Sequence, residues 1–180
     1  PIAGANYDLQ AGELTENTSP VISGNLVVVG TDGGSTGAAG KIYAWNTTAD
    51  TQAWGGNPYD LGTNPNTFHG HNPEGIAVAP DGSIYVGTSQ GELHRIDPAT
   101  GVGTVFDAGV PLFGTNRVSK PDFDNAGNVY ISTEQGKTFK LPAGSLAAAA
   151  FSWEHNGATP TQPVVDPATG NAVLVAGGQF

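Results

Sequence analysis

Short apolar runs alternate with turn residues along the chain, most clearly over residues 72–101. There the apolar runs 75–79, 83–88 and 92–97 are separated by Pro-Asp-Gly and Ser-Gln-Gly. Runs of this length, bounded by Gly, Pro, Asp and Ser, are typical of antiparallel strands joined by tight turns. The pattern predicts a three-stranded meander, to which the run 103–107 adds a fourth strand.

The same unit recurs along the sequence. Its turn glycine precedes a β-branched, apolar run at four places, Gly24, Gly82, Gly127 and Gly170, which lie between 43 and 58 residues apart. Periods in this range, with about four strands in each, are typical of propeller blades. The sequence therefore predicts an all-β fold, a β-propeller of about four four-stranded blades.

The predicted blades cover residues 20–60, 73–109, 118–156 and 162–180 of a single domain, 1–180. The fourth blade lacks its outer strands, and the short runs within residues 1–18 can supply them, so that N- and C-terminal strands close the ring. The alternative is a segment of a larger propeller. One stretch, Pro142–Ala150, is alanine-rich and predicts a short helix.

Composition and charge narrow the classes of partner. Charged residues make up 12% of the chain, and the formal net charge is −10, so a phosphate backbone or an anionic lipid surface is disfavoured. There is no cysteine, which excludes disulfides and thiolate metal sites, and no apolar run reaches the roughly 20 residues of a membrane span. The first residue is Pro1 and methionine is absent, which predicts a processed chain or a fragment. The absence of methionine and the Asn-x-Ser/Thr triplets at Asn17 and Asn46 together favour a secreted or periplasmic protein.

The central unit resembles blades of strictosidine-synthase-like, gluconolactonase-like and NHL-type propellers, on residues 73–78, 81–88, 91 and 95–97. The third unit repeats the pattern at 124 and 127–131, and the first resembles a quinoprotein-type blade at 19–31 and 40–45. The resemblance implies the propeller fold. Since propellers support many unrelated activities, it does not define one activity. The quinoprotein part implies a quinone cofactor in a longer ring.

A candidate metal site lies before the central unit. His69 and His71 alternate on an extended segment, so both side chains lie on one side, and Glu74 follows closely. Two imidazoles and a carboxylate can hold a divalent metal, calcium or zinc. The residue pattern alone favours the simpler interpretation, in which the histidines are solvated loop residues and Glu74 caps a turn. The gluconolactonase-like resemblance implies that Glu74 is a metal ligand, with Asn116 and Asp122 as candidates for the remaining positions.

A second group of oxygen ligands surrounds Asp124, with Asp122, Asn125 and Asn128 nearby. It offers the oxygen atoms that calcium prefers, but no DxDxDG loop is present. An Asx turn made by Asp124 with Gly127 is the competing interpretation.

The longest connections, 32–40, 61–72 and 110–120, belong to one end of the predicted ring. Loops longer than closure requires are where binding usually concentrates. We therefore expect a non-catalytic binding or assembly module that uses this face. Its expected partner is a protein, a second copy of the chain, a small molecule, or a carbohydrate stacked on a tryptophan such as Trp54. The alternatives are a metal-dependent hydrolase or lactonase centred on Glu74, and part of a quinoprotein-like oxidoreductase.

Overall fold

The computed structural model describes residues 18–33, 38–64, 70–155 and 162–173. Within these ranges the chain forms short β-strands and a single 3-10 turn at Trp54–Gly56, with no α-helix. The strands are β1 Val21–Ser23, β2 Leu26–Gly33, β3 Ala38–Asn46, β4 Thr51–Gln52, β5 Tyr59–Asp60, β6 Pro73–Val78, β7 Ile84–Thr88, β8 Glu92–Ile96, β9 Gly103–Asp107, β10 Asp122–Phe123, β11 Val129–Thr133, β12 Lys137–Leu141, β13 Phe151–Glu154, β14 Val164–Val165 and β15 Ala172–Val173.

The strands form separate antiparallel sheets in sequence order. The first sheet contains β1–β2–β3 with β4 and β5 both paired to β3, the second β6 to β9, the third β10 to β13, and the fourth β14 and β15. The second strands β7 and β11 are buried at all five positions, as expected where both faces of a sheet are covered by its neighbours. The prediction of an all-β propeller is confirmed.

The hydrophobic core lies between neighbouring blades. One cluster joins the first blade to the second, and another joins the second to the third. The first cluster consists of Leu26, Val28, Ile42, Ala44, Leu61, Ile76, Ile84, Val86 and Ile96. The second cluster consists of Ala79, Tyr85, Leu93, Ala108, Val118, Val129, Ile131, Leu141 and Leu146. Face-to-face packing of blades is therefore what holds the ring together.

The inner strands β1, β6, β10 and β14 surround a central cavity of about 670 Å³. Ile22, Val78, Phe123 and Val164 are among the residues that line it. Between the third and fourth blades, the Val165 amide donates to Asp122 Oδ2 at 2.7 Å. The described blades are thus arranged around one axis.

One local prediction is wrong: the stretch 142–150 forms turns and bends rather than a helix. The outer side of the first blade consists of two short strands, because pairing with β3 ends at Gln52 and resumes at Tyr59. The described strands fall inside the predicted blade limits, but completion of the fourth blade by residues 1–18 lies almost entirely outside the described residues and stays a prediction.

Within the described ranges, no helix has the length and apolar character that crossing a membrane requires.

Candidate functional site

The two ends of the ring differ in their loops. We call one end the long-loop face: it is formed by the described parts of connector 61–72 (61–64 and 70–72), by connector 108–121 and by turns 89–91 and 134–136. The opposite end, the tight-turn face, carries the turns 24–25, 79–83, 97–102, 124–128 and 166–170. Of the predicted candidate residues, His71 lies within connector 61–72 and Glu74 lies at the start of β6, directly after it, on the long-loop face.

Buried amides fix the connectors of the long-loop face. Asn64, fully buried, donates to Gln90 Oε1 at 2.9 Å and to the Pro111 carbonyl at 3.0 Å, so one side chain ties both connectors to turn 89–91. Asn116, also buried, donates to the Gly109 carbonyl at 2.6 Å and accepts from the Gln135 amide at 3.0 Å. Buried polar groups that are satisfied in this way make a loop rigid.

His71, Glu92 and His94 form a cluster of two imidazoles and a carboxylate. His71 Nδ1 is 2.6 Å and His94 Nε2 is 3.1 Å from Glu92 Oε2, and the ligand atoms of all three residues lie within 4.8 Å of one another. The two histidine side chains are 2% and 3% exposed, whereas Glu92 is 20% exposed and provides the contact with solvent. Tyr59 Oη lies 3.0 Å from His94 Nδ1 on the far side of that ring.

The strands explain this arrangement. Glu92 and His94 are two residues apart on β8 and therefore share a face. His71 is held by its backbone, which donates to the Gly62 carbonyl at 3.0 Å and accepts from the Gly40 amide at 3.3 Å.

The charges of the cluster follow from its contacts. Burial raises the pKa of the Glu92 carboxyl, but the contacts with the two imidazoles outweigh it and lower that pKa to about 2. Burial, with the nearby Glu92 and Asp60 charges, raises the pKa of Tyr59. Glu92 is thus an anion at neutral pH while the Tyr59 hydroxyl stays protonated.

Glu74 lies elsewhere on the face, in a pocket of about 240 Å³ between the second and third blades. Its Oε1 is 3.6 Å from Arg117 Nε, and Ser119, Ser132 and Glu134 also line the pocket. Burial raises the pKa of the Glu74 carboxyl; Arg117 opposes this shift and Glu134 adds to it. A carboxyl in this setting can exchange a proton or pair with a bound cationic group.

The predicted metal set of His69, His71 and Glu74 stays a prediction, since His69 lies outside the described residues. Of the two described members, His71 joins Glu92 and His94, while Glu74 pairs with Arg117. The oxygens of Asn116 and Asp122, the candidates for further ligands, accept hydrogen bonds from backbone amides.

Asp124 makes the predicted Asx turn. Its Oδ1 accepts from the amides of Ala126 and Asn128, and its Oδ2 accepts from Asn128 Nδ2 and the Tyr130 hydroxyl. Lys140 Nζ is 3.5 Å from Oδ2. The carboxylate is therefore engaged in holding the turn between β10 and β11.

The long-loop face also presents apolar side chains. Leu112 is 67% exposed and Phe113 is 89% exposed at the tip of connector 108–121. The connector was predicted on this face from the sequence, but these two side chains were not predicted as site residues. The sequence did contain a sign of them, namely two consecutive large apolar residues between residues typical of turns.

Glu92 and His94 were likewise not predicted as site residues. Their alternation on a predicted strand could have suggested a shared face. Their contact with His71, some twenty residues earlier, depends on the course of the chain before β6, which no local pattern predicts.

Antiparallel blades around a central cavity, with the candidate residues on one end, define a β-propeller. Residues 66–96 match the family model described as strictosidine synthase-like, N-terminal, which covers β6 to β8 and the connector before them. A search of curated proteins found no match.

Solved structures show the same fold. BamB from Moraxella catarrhalis aligns with a TM-score of 0.58 and 17% identity over 88% of this chain and 52% of that one. Quinohemoprotein alcohol dehydrogenase from Comamonas testosteroni aligns with a TM-score of 0.56 and 19% identity, over 77% of this chain and 21% of that one. A chain of the mitotic checkpoint complex aligns with a TM-score of 0.56 and 10% identity, over 91% and 49%.

This chain therefore spans between about a fifth and a half of these proteins. At such identities the likeness shows the fold alone. The predicted resemblance to strictosidine-synthase-like and quinoprotein-type propellers is confirmed, and the gluconolactonase-like part stays a prediction.

Proposed function

We propose that this chain is a non-catalytic binding module that holds a protein partner on its long-loop face, with Phe113 as the anchor. A location outside the cytoplasm, secreted or periplasmic, belongs to the same proposal and rests on the sequence features described above. The structural neighbours support only the fold, so the surface itself carries the argument.

The observation that carries the proposal is an exposed aromatic ring on a fixed loop. Phe113 is 89% exposed, while the connector is held before the tip at the Pro111 carbonyl and after it at Asn116. The Asn116 side chain also donates to the Gly109 carbonyl, which joins the two sides of the tip. Aromatic side chains dominate the binding energy of many interfaces, and a loop fixed in advance loses little entropy on binding.

Charge suggests the chemistry of the partner. The chain carries a formal net charge of −10, which attracts a basic surface and repels an acidic one. The partner expected is a protein with an apolar pocket for Phe113 inside a basic rim. Its association rate should fall as salt is added.

A photoreactive amino acid at position 113 tests the proposal. It should crosslink one protein from an extract of the producing organism, and the same amino acid at position 102 should not. Val102 is a matched control because it is 67% exposed, as Leu112 is, but lies on the tight-turn face.

Titration of the purified partner completes the test. Phe113→Ser should weaken binding about 30-fold, the scale of an interface hot spot, and Val102→Ser should leave it unchanged. Equal binding by both variants contradicts the proposal. A crosslinked dimer formed by the purified protein alone identifies the partner as a second copy of the chain.

The second candidate is a hydrolase or lactonase centred on Glu74, which the gluconolactonase-like resemblance suggested. The observation in its favour is the raised pKa of the Glu74 carboxyl inside a pocket with Arg117. Hydrolysis of a panel of lactones and esters, with and without added calcium or zinc, tests it. Activity abolished by Glu74→Gln and kept by the Glu154→Gln control, a 73% exposed side chain, supports it. Absence of hydrolysis rejects it.

The third candidate, part of a quinoprotein-like oxidoreductase, rests on the fold likeness alone. A quinone cofactor in such a protein belongs to a complete ring, and this chain spans 21% of the dehydrogenase it aligns with. The described residues offer no observation that favours this candidate over the other two.

A further inference from the structure

We propose that His71, Glu92 and His94 form a binding site for a divalent transition-metal cation, with zinc as the probe. The proposal is independent of the protein-binding function of the face. It differs from the set predicted from the sequence in two of its three ligands.

The three donor atoms already converge. Glu92 Oε2 is 2.6 Å from His71 Nδ1 and 3.1 Å from His94 Nε2, and the three ligand atoms lie within 4.8 Å of one another. Metal–ligand bonds of about 2.0–2.2 Å place the donors of a tetrahedral zinc roughly 3–3.5 Å apart. To reach this spacing, the His71 and Glu92 donor atoms, now 2.6 Å apart, must move apart by about 0.5 Å or more.

His71 supplies the independent sign of a missing ligand. Its side chain is 2% exposed, yet neither ring nitrogen makes a properly aligned hydrogen bond with any described residue. The 2.6 Å approach of Nδ1 to Glu92 Oε2 therefore lacks hydrogen-bond geometry. A buried polar group without a partner is costly, and a metal ion bound at Nδ1 removes part of that cost.

His94 has the surroundings of a metal ligand. The Tyr59 hydroxyl lies 3.0 Å from Nδ1, so with the ring proton on Nδ1 the Tyr59 oxygen accepts it and Nε2 offers its lone pair to the ion. Partners of this kind fix the tautomer and orientation of ligating histidines. Tyr59 belongs to the first blade, so the site would join the first blade, connector 61–72 and β8.

The donor set selects the class of cation. Two imidazoles and one carboxylate suit zinc and related transition metals, whereas calcium requires six to eight oxygens. As metal ligands the two imidazoles must be neutral and the carboxylate ionised, so the three residues together bring one negative charge to the ion. Three protein ligands leave a further coordination position, on the side where Glu92 reaches solvent.

Calorimetric titration of the chelator-treated full chain with zinc tests the site. The wild type should bind one equivalent with a dissociation constant in the micromolar range or below. Glu92→Gln and His94→Gln should each weaken binding about tenfold or more, because each removes a ligand. His155→Asn is the matched control, since His155 lies outside the cluster and its Nε2 contacts Thr138 Oγ1 at 2.8 Å.

Two more variants separate the rival ligand sets. If Glu74→Gln and His69→Asn abolish zinc binding while Glu92→Gln keeps it, the set predicted from the sequence is correct and the present one is wrong. If the wild type binds no zinc, or if His155→Asn weakens binding as much as Glu92→Gln, the proposed site is rejected.

A readout on the unaltered protein guards against variants that fail to fold. Cobalt added to the wild type should give the visible absorption bands of a four- or five-coordinate ion, and zinc should abolish them. Bands typical of octahedral aqueous cobalt contradict the proposal. Circular dichroism of each variant identifies any that are unfolded and removes them from the comparison.

Discussion

At the scale of single residues, Asp124 shows how one carboxylate can fix a turn. Burial raises the pKa of Asp124, but the hydrogen bonds from Asn128 and Tyr130 and the charge of Lys140 outweigh it and lower the pKa below its usual 3.8. A lowered folded-state pKa means stability that is complete above the unfolded-state pKa and is lost as pH falls through the folded-state value.

We expect Asp124→Asn to lower the free energy of unfolding by about 1–3 kcal/mol at neutral pH, because it weakens several charge-assisted hydrogen bonds in a buried setting. The deficit should stay constant down to about pH 5 and shrink below about pH 4, where the wild-type carboxyl also protonates. Urea unfolding between pH 7 and pH 3 measures it.

Asp166→Asn is the control for this prediction. Asp166 makes a similar turn through Ala168 and Thr169 but is exposed, so its replacement should cost less. A deficit for Asp124→Asn that does not change with pH would contradict the assignment of the effect to the charged carboxylate.

Gly101 is constrained by its neighbour as well as by its backbone. Its φ is +71°, and a Cβ there would lie 2.5 Å from Trp54 Cγ. Gly101→Ala should therefore cost about 2–4 kcal/mol, more than the 1–2 kcal/mol of left-handed strain alone. Thermal unfolding followed by circular dichroism measures the loss.

Gly24→Ala separates the two contributions to that loss. Gly24 has φ +57°, but a Cβ added there would have no atom within 4 Å, so only the backbone strain applies. Equal losses for the two variants would show that the contact with Trp54 does not matter.

The sequence was informative about single residues where the relevant contacts are local. The turn at Asp124 was predicted because its partners lie within six residues. Glu92 and His94 were missed because their third partner, His71, reaches them through a connector whose course no local pattern determines.

At the scale of elements, the connectors of the long-loop face behave as fixed parts of the structure. Asn64 and Asn116 hold them through buried hydrogen bonds to the turns between the second and third strands. The exposed Phe113 ring is therefore held in a fixed position on the surface, as expected of a residue that contacts a partner.

Asn64→Ala should lower the free energy of unfolding by about 2–3 kcal/mol, because it leaves the Gln90 side chain and the Pro111 carbonyl buried without their donor. Hydrogen exchange should rise in both connectors and little in β7 and β11. The exposed Asn57→Ala should change stability by less than about 0.5 kcal/mol. Unchanged exchange in the connectors would contradict the role given to Asn64.

The wrong helix prediction at 142–150 has a physical reason. Four consecutive alanines favour a helix by intrinsic propensity, but a segment this short is marginal without packing. Here Ala150 donates to the Lys140 carbonyl at 2.8 Å, so the segment instead closes the connection between β12 and β13.

At the scale of the whole molecule, the second blade contributes to both hydrophobic clusters. Ile84 and Val86 pack towards the first blade, while Tyr85 and Leu93 pack towards the third. Loss of packing on one side should therefore spread to the other, which predicts a single cooperative unfolding transition.

Ile84→Ala should cost about 2–5 kcal/mol and lower one transition for the whole chain, because Ile84 is fully buried. Val105→Ala, at a 45% exposed position of β9, should cost less than about 1 kcal/mol. Differential scanning calorimetry distinguishes the outcomes, and two separate transitions in the Ile84 variant would contradict coupling through the second blade.

The propeller was predictable as a whole because each blade carries its own turn glycine and apolar strand at a regular period. From that repetition it follows which strand of each blade lies nearest the axis and that the faces of neighbouring blades pack together. The predicted completion of the fourth blade by residues 1–18 would require pairing between distant parts of the chain, and no periodicity encodes such a pairing.

Trp54 gives the molecule a built-in optical reporter. Its indole nitrogen donates to the Pro98 carbonyl at 3.0 Å, and its ring packs between the first and second blades beside a cavity of about 420 Å³ on the tight-turn face. Trp153, by contrast, is 54% exposed on β13 and should emit as a solvated indole. In a Trp45→Phe background, which leaves only these two tryptophans, a blue-shifted component of the emission spectrum would therefore signal that the first and second blades are in contact, and its red shift would mark their separation.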